Sequence, residues 1–251
     1  MTLDDVEATL VLPCLDEAAT LGPLLEECRA VLGADAGVRW AILVVDNGSR
    51  DGSPEVAARH GVEVLRCAER GYGAAVDAGL RAARTPWVLY ADADGTYDPR
   101  DARRLLAHAR AHPGTDLVVG SRLAGTIERG AMPALHRYLG TPVLSALYRG
   151  LHGVALGDVN SGLRCLRREA YLRWGVRAPG MEFASAMLVA AAAAGASVRE
   201  LPIGLRRGPA GRAPHLRPWR DGLRHLRVLL GAAAWRVPLI VLLVLATVGL
   251  T

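Results

Sequence analysis

The chain has 251 residues, 51% of them hydrophobic, and all 30 of its basic side chains are Arg. That composition excludes a disordered chain, and four cysteines without a close pair (Cys14, Cys28, Cys67, Cys165) exclude both a disulfide framework and a zinc signature. The net charge of +5 averages two unlike halves: residues 1–120 hold 12 Arg against 19 Asp and Glu, residues 121–251 hold 18 Arg against 6. The front half suits a cation, the back half something anionic.

In chain order, short β-branched runs at 8–13, 40–46, 62–66, 87–91 and 116–119 alternate with helical patterns at 16–33, 53–60, 72–84 and 99–112. Such alternation predicts an α/β fold with a mostly parallel sheet. The strands read as hydrophobic throughout, as expected where helices cover both faces. After residue 120 come a helix at about 131–150, a strand at 161–167, a helix at 182–194, a strand at 197–202 and an Arg/Gly/Pro loop at 204–218. No repeat and no linker interrupts residues 1–225, which predicts one globular domain. Reduced thiols and an acidic N-terminus without an export signal predict a cytosolic location for it.

Polar clusters follow the strand ends, where ligands bind in open α/β sheets. Asp92-Ala93-Asp94 places two carboxylates one residue apart after the fourth strand. Hard cations take oxygen ligands and keep positions open for phosphate oxygens, so this pair can hold Mg²⁺ or Mn²⁺ against a diphosphate. The same residues would also make an ordinary turn with capping acids. After the second strand, Asp46 can accept hydrogen bonds from a base or ribose, and Asp51 and Ser53 can cap the following helix. Arg70-Gly71-Tyr72-Gly73 opens a helix with small residues, and Pro13-Cys14-Leu15-Asp16-Glu17 closes the first strand at the same edge of the sheet.

Together these segments resemble the family-two glycosyltransferases with the GT-A fold, over roughly residues 8–227. The resemblance implies a Rossmann-like, mostly parallel sheet flanked by helices. It implies that residues 12–17 (Pro13, Asp16 and Glu17 among them), Asp46, Asn47, Asp51 and Gly71 hold a nucleotide sugar, UDP- or GDP-linked. Asp92 and Asp94 then bind the metal and the donor diphosphate. Two departures stand out: Cys14-Leu15-Asp16-Glu17 replaces the usual Tyr-Asn-Glu, and Asn47 stands where a second Asp is usual.

Within the family the back half looks most like the dolichol-phosphate mannose synthase group of polyprenyl-phosphate sugar transferases. Gly120-Ser121-Arg122 matches its Gly-Ser-Arg, and Asp158-Val159-Asn160-Ser161-Gly162-Leu163-Arg164 its Asp-x-x-Ser-Gly-Phe-Arg with Leu163 in place of the aromatic. By that resemblance Arg122, Arg137, Thr141 and Ser161 meet the acceptor phosphate, with Arg206, Arg207 and Arg212 as further clamps. Asp158 is the candidate for a base or orienting role, or a structural acid of its loop. An Arg fork suits a phosphate monoester.

Residues 206–236 carry eight Arg with interleaved His and Trp and run into an apolar stretch at 237–250. Basic residues beside anionic headgroups and Trp at the interface suit a membrane surface. Nucleic acid is not expected, because no recognition motif accompanies the charge. The division expected is a GT-A domain over 1–227, with a donor half (1–120) and an acceptor half (121–227), a C-terminal juxtamembrane helix within the 206–236 segment, and an apolar membrane-associated tail over 228–251 that is either a truncated or a single transmembrane helix. The expected activity is inverting transfer of a hexose to a polyprenyl phosphate at the cytoplasmic membrane face. A family member using a soluble or polymeric acceptor, and a non-catalytic nucleotide-sugar-binding module, are the alternatives.

Overall fold

β1 (Ala8–Cys14) is buried at all seven positions, as a strand flanked on both sides and covered on both faces must be. In the computed structural model, which describes residues 6–35, 37–208 and 218–231 (backbone only at 218 and 219), β1 pairs in parallel with β2 (Trp40–Asp46) and with β4 (Trp87–Tyr90). β3 (Glu63–Arg66) adds in parallel outside β2. The chain thus leaves β1 in one direction and returns on its other side, creating a switch-point crevice at the carboxyl ends of β1 and β4. The seven-stranded order is β3-β2-β1-β4-β6-β5-β7, with β5 (Leu117–Ile127), β6 (Arg164–Arg167) and β7 (Val198–Leu205). β6 runs antiparallel to both β4 and β5, while β5 and β7 are parallel. The sheet is therefore mostly parallel, as the alternating pattern predicts.

The connecting helices are α1 (Ala18–Gly33), α2 (Ser53–Arg59), α3 (Tyr72–Ala82) and α4 (Pro99–Ala111) in the donor half. α4 begins as expected, with Asp98 accepting from the Arg100 amide at 2.8 Å and Pro99 in the first turn, where no amide donor is needed. The acceptor half contributes α5 (Thr141–His152), α6 (Arg168–Trp174), α7 (Phe183–Ala193) and α8 (Pro218–Gly231).

Besides α6, a short helix the sequence pattern does not predict, four details differ from the sequence expectation. β3 is an edge strand with Glu63 and Arg66 exposed, so it is not covered throughout. The helix expected over 131–150 is a wide π turn at His136–Gly140 followed by α5; Pro142 cannot donate into the ladder at that junction. Residues 161–163 form a turn rather than the start of β6, because Arg164 anchors that turn by donating to the Ser161 and Val159 carbonyls. β5 continues well past residue 119, pairing with β7 again at Thr126 and Ile127 after an irregularity.

The boundary expected at 227/228 falls inside α8, whose Leu229 is fully buried against the α7 side of the core. Among the described residues no helix is long and apolar enough to cross a membrane. The apolar run at 237–250 lies outside the described residues.

Candidate active site

Two adjoining cavities open at the carboxyl ends of β1 and β4, and are called the donor and acceptor chambers after the ligands that the sequence resemblance implies for them. The donor chamber, about 580 Å³, lies over the ends of β1 and β2 and the start of α3, lined there by Pro13, Glu17, Asn47, Arg70 and Gly71. The acceptor chamber, about 440 Å³, lies toward β5 and α5, lined there by Arg122, His136, Thr141, Leu144, Asn160 and Ser161. Asp92 and Asp94 line both.

These carboxylates are held in place. Tyr72 donates its hydroxyl to Asp92 Oδ1 at 2.8 Å, and burial, with the Asp92 charge beside it, pushes the Tyr72 hydroxyl far above its ordinary range, so it remains a donor. Gly162 packs against the other face of Asp92, where a Cβ would come within 2.7 Å of Oδ2. Asp94 Oδ1 accepts from the Thr96 amide (3.0 Å) and hydroxyl (2.7 Å). Two oriented carboxylates facing a chamber fit Mg²⁺ or Mn²⁺, which commonly takes one or two protein carboxylates and completes its shell with phosphate oxygens and water. Among the described residues no larger cluster of His, Cys, Asp and Glu has metal-holding geometry.

The donor wall is organised by loop-to-loop hydrogen bonds. Asn47 bridges two loops, donating to the Glu69 carbonyl at 2.7 Å and accepting from the Gly71 amide at 2.8 Å. Gly71 has φ +135° and a Cβ there would meet the Pro179 carbonyl at 2.1 Å, so this position tolerates only glycine. Not all the expected nucleotide residues reach this chamber. Asp46 caps the Gly48 and Ser49 amides and lines a separate hollow at the sheet edge. Asp51 accepts from the Ala18 amide and from Ser53, and Asp16 from the Arg50 amide, which ties the start of α1 to the loop before α2. Cys14, also at the chamber, is pushed up to about 11 by burial and stays a thiol.

On the acceptor side, Arg122 is gripped by Asp158 in a bidentate pair (2.7 and 2.8 Å), and Asp158 Oδ2 also accepts the Arg122 amide at 3.0 Å. Asp158 is fully buried and does not line either chamber. Burial works against the Arg122 cation, and Tyr97 and Asp158 outweigh it, so the guanidinium stays charged. Arg137 stacks over Tyr138, 5.4 Å from the ring centroid, outside the chamber lining. Arg206 is engaged elsewhere: it donates to Glu27 (2.8 and 2.9 Å) and Asp98 (2.5 Å) and lines neither chamber. Arg207 binds Glu128 through its amide and lies away from both linings. Arg212 lies outside the described residues.

Sequence reasoning missed the contribution of α8. Arg220 and Arg224 line the donor chamber, His225 the acceptor chamber, and Asp221 both. The spacing of Asp221, Arg224 and His225 (i, i+3, i+4) places them on one helix face, a signal available in the sequence. His225 Nδ1 lies 2.7 Å from Ser185 Oγ, and burial lowers its pKa to about 4. It is neutral at pH 7.

Comparison with known proteins agrees with this layout. The profile of glycosyl transferase family 2 matches residues 9–174. A low-salt glycan biosynthesis hexosyltransferase of Haloferax volcanii is 34% identical over 230 residues, 90% of this chain and 54% of that protein, so the chain spans about half of that relative's length. A dolichyl-phosphate hexose transferase of the same organism is 29% identical over 207 residues, 82% of this chain and 84% of its own. Among solved structures, glucosyl-3-phosphoglycerate synthase from Mycobacterium tuberculosis, crystallised with Mn²⁺, UDP and glucosyl-3-phosphoglycerate, superposes with a TM-score of 0.70 at 21% identity, covering 92% of this chain and 81% of that one. The strand-end carboxylates, the crevice they line and the profile match lead to one conclusion: the chain belongs to glycosyltransferase family 2, has the GT-A fold, and has polyprenyl-phosphate sugar transferases among its relatives.

Proposed function

We propose that the protein transfers a hexose, with inversion, from a nucleoside diphosphate sugar to a polyprenyl phosphate at the cytoplasmic face of the membrane. The observation that carries this reading is the shared wall: Asp92 and Asp94 stand between a donor chamber at the strand ends and an acceptor chamber containing Arg122. A Mg²⁺ or Mn²⁺ held by these two carboxylates supplies charge neutralisation of the departing diphosphate. Arg122, held by Asp158, orients the acceptor phosphate. An oxygen of that phosphate attacks the anomeric carbon as the bond to the diphosphate breaks. A phosphate monoester is already anionic at pH 7, so no general base is needed, and buried Asp158 acts by positioning Arg122. Thr141 and Ser161 line the same chamber and offer hydroxyl donors.

The lipid nature of the acceptor is supported by Leu135, Tyr138, Leu139 and Val143. These are exposed by 48–73% on the π turn and its two flanks, beside the acceptor-chamber residues His136, Gly140 and Leu144, an apolar rim suited to a polyprenyl chain. The likeness to the dolichyl-phosphate hexose transferase supports it too. The membrane location is supported by the Arg-rich segment 206–236. A second reading, transfer to a small soluble phosphorylated acceptor, draws on the fold neighbour that was crystallised with a glucosyl-phosphoglycerate.

Purified protein given radiolabelled sugar nucleotides and Mn²⁺ should put label into the organic phase with a short polyprenyl phosphate, and Asp94→Ala should abolish it. Label appearing only on 3-phosphoglycerate would select the second reading. Donor binding by calorimetry with no transfer to any acceptor would replace both with a binding module.

A further inference from the structure

The wall that the first half of the chain gives to the donor chamber is acidic. Residues 1–120 contribute Glu17, Asp92 and Asp94 to that lining and, among the described residues, one cation, Arg70. Arg70 donates to the Asn47 and Gly48 carbonyls at 2.8 and 3.2 Å, which commits its guanidinium to the loop after β2. A nucleoside diphosphate brings further negative charge, which a divalent cation on Asp92 and Asp94 offsets in part. Additional cations reach the chamber from the other end of the sequence: α8 adds Arg220 and Arg224 to the same lining.

Four residues separate the two arginines, which sets them one turn apart on one face of α8. The helix itself is fixed in place by fully buried Leu229 and by the His225–Ser185 contact. Arg220 is exposed. Arg224 Nη1 stands 3.9 Å from both Asp221 Oδ1 and Glu182 Oε2, long ion pairs that orient the guanidinium beyond hydrogen-bond range of either oxygen. A guanidinium presents parallel N–H donors that match phosphate oxygens, and two of them a turn apart suit two linked phosphates. We propose that Arg220 and Arg224 bind the diphosphate of the donor nucleotide and form, with the metal, the positive side of the donor chamber. This proposal rests on the glycosyl-transfer reading and deepens it. Part of the Arg-rich C-terminal half then serves the donor, a ligand that the charge distribution along the chain would assign to the front half alone.

The test is calorimetry of UDP and GDP with Mn²⁺ on the full chain, at low and high ionic strength, beside transfer assays with a short polyprenyl phosphate. At low salt Arg220→Gln and Arg224→Gln should each weaken the nucleotide that the wild type binds by about tenfold, and the double variant by more. The gap to the wild type should narrow at high salt, because screening removes the attraction the variants lack, and a merely structural role would not produce that. Nucleotide affinity within about twofold of the wild type's in the double variant would overturn the proposal. A rise in the polyprenyl-phosphate KM with nucleotide affinity unchanged would also overturn it, by assigning these cations to the acceptor. Because Arg224 also pairs with Glu182 and Asp221, exposed Arg220 decides a further case: weaker binding and a lower melting temperature in Arg224→Gln, with Arg220→Gln at wild-type affinity, would overturn it too. In each of these cases the wild type still binds nucleotide and the transfer reading stands. A wild type that binds neither UDP nor GDP and transfers no sugar would remove that reading, and this proposal with it.

Discussion

What the first 120 residues bring to the donor chamber stands largely just past the ends of parallel strands, as Glu17, Asn47, Asp92 and Asp94 do after β1, β2 and β4, while α8 adds Arg220, Asp221 and Arg224 to the same lining. Around the acceptor chamber the side chains come from the middle of β5, a π turn, the 158–163 turn and α8. The first wall follows from one repeated βα unit; the second is assembled from segments that meet only after the sheet is complete. The difference extends to charge. The acceptor half carries most of the excess Arg, yet several of these cations are held internally: Arg122 by Asp158, Arg164 by the Ser161, Val159 and Ala184 carbonyls, Arg167 over Trp87, and Arg206 by Glu27 and Asp98. A net charge counted along the chain therefore overstates what a phosphate would meet.

That contrast can be broken or sharpened by mutation. The largest effect belongs to the shared wall: Asp94→Ala should lower transfer about a thousandfold or more, roughly 4 kcal/mol of transition-state stabilisation, with urea unfolding nearly unchanged. Retention of a tenth of the wild-type rate would show that the two chambers do not meet at this carboxylate. Next comes Asp158→Ala, which leaves the Arg122 charge buried and unpaired and should cost about 3–5 kcal/mol of unfolding free energy. It should also raise the acceptor KM without moving nucleotide affinity. An equal rise in both constants would mean that the walls are not separable.

His225 gives a smaller, pH-dependent effect. Its pKa is lowered in the folded state to about 4 from 6.5, so between those pH values the unfolded chain binds a proton that the folded chain does not. Stability should then be full above about pH 6.5 and fall as pH drops toward 4, by up to about 1.4 kcal/mol per pH unit. Urea melts of wild type and His225→Gln across that range should diverge in this direction; parallel curves would mean that α8 is not anchored through a neutral imidazole. The smallest effect is expected of Arg206→Ala. Its ion pairs are about a third exposed, so loss of roughly 1 kcal/mol or less is expected, with the acceptor KM unchanged. A severalfold rise in that KM would return Arg206 to the phosphate site.

Much of the donor wall was legible from sequence because its determinants are local. β-branched runs alternate with helical periodicity, and the polar residues that follow a buried strand have to emerge at its end, which is how Asp92 and Asp94 could be placed together. Asp46 and Asp51 show what that logic leaves out: both strand-end acids also accept hydrogen bonds from nearby backbone amides. The π turn was hidden because a helical pattern at 131–150 does not reveal how Gly140 and Pro142 interrupt the hydrogen-bond ladder.

The amino-acid order was thus sufficient for the α/β class, the parallel strands β1 to β4 and the carboxylate pair, since periodicity and strand-end chemistry act over a few residues. Folding in three dimensions settled which cations remain available and which helix closes the cleft. Arg206 finds Glu27 across 179 positions, Arg122 finds Asp158 across 36, and α8 brings Asp221 back to carboxylates more than a hundred residues earlier. Pairings of that kind depend on where the sheet carries each segment, and spacing along the chain holds no record of it.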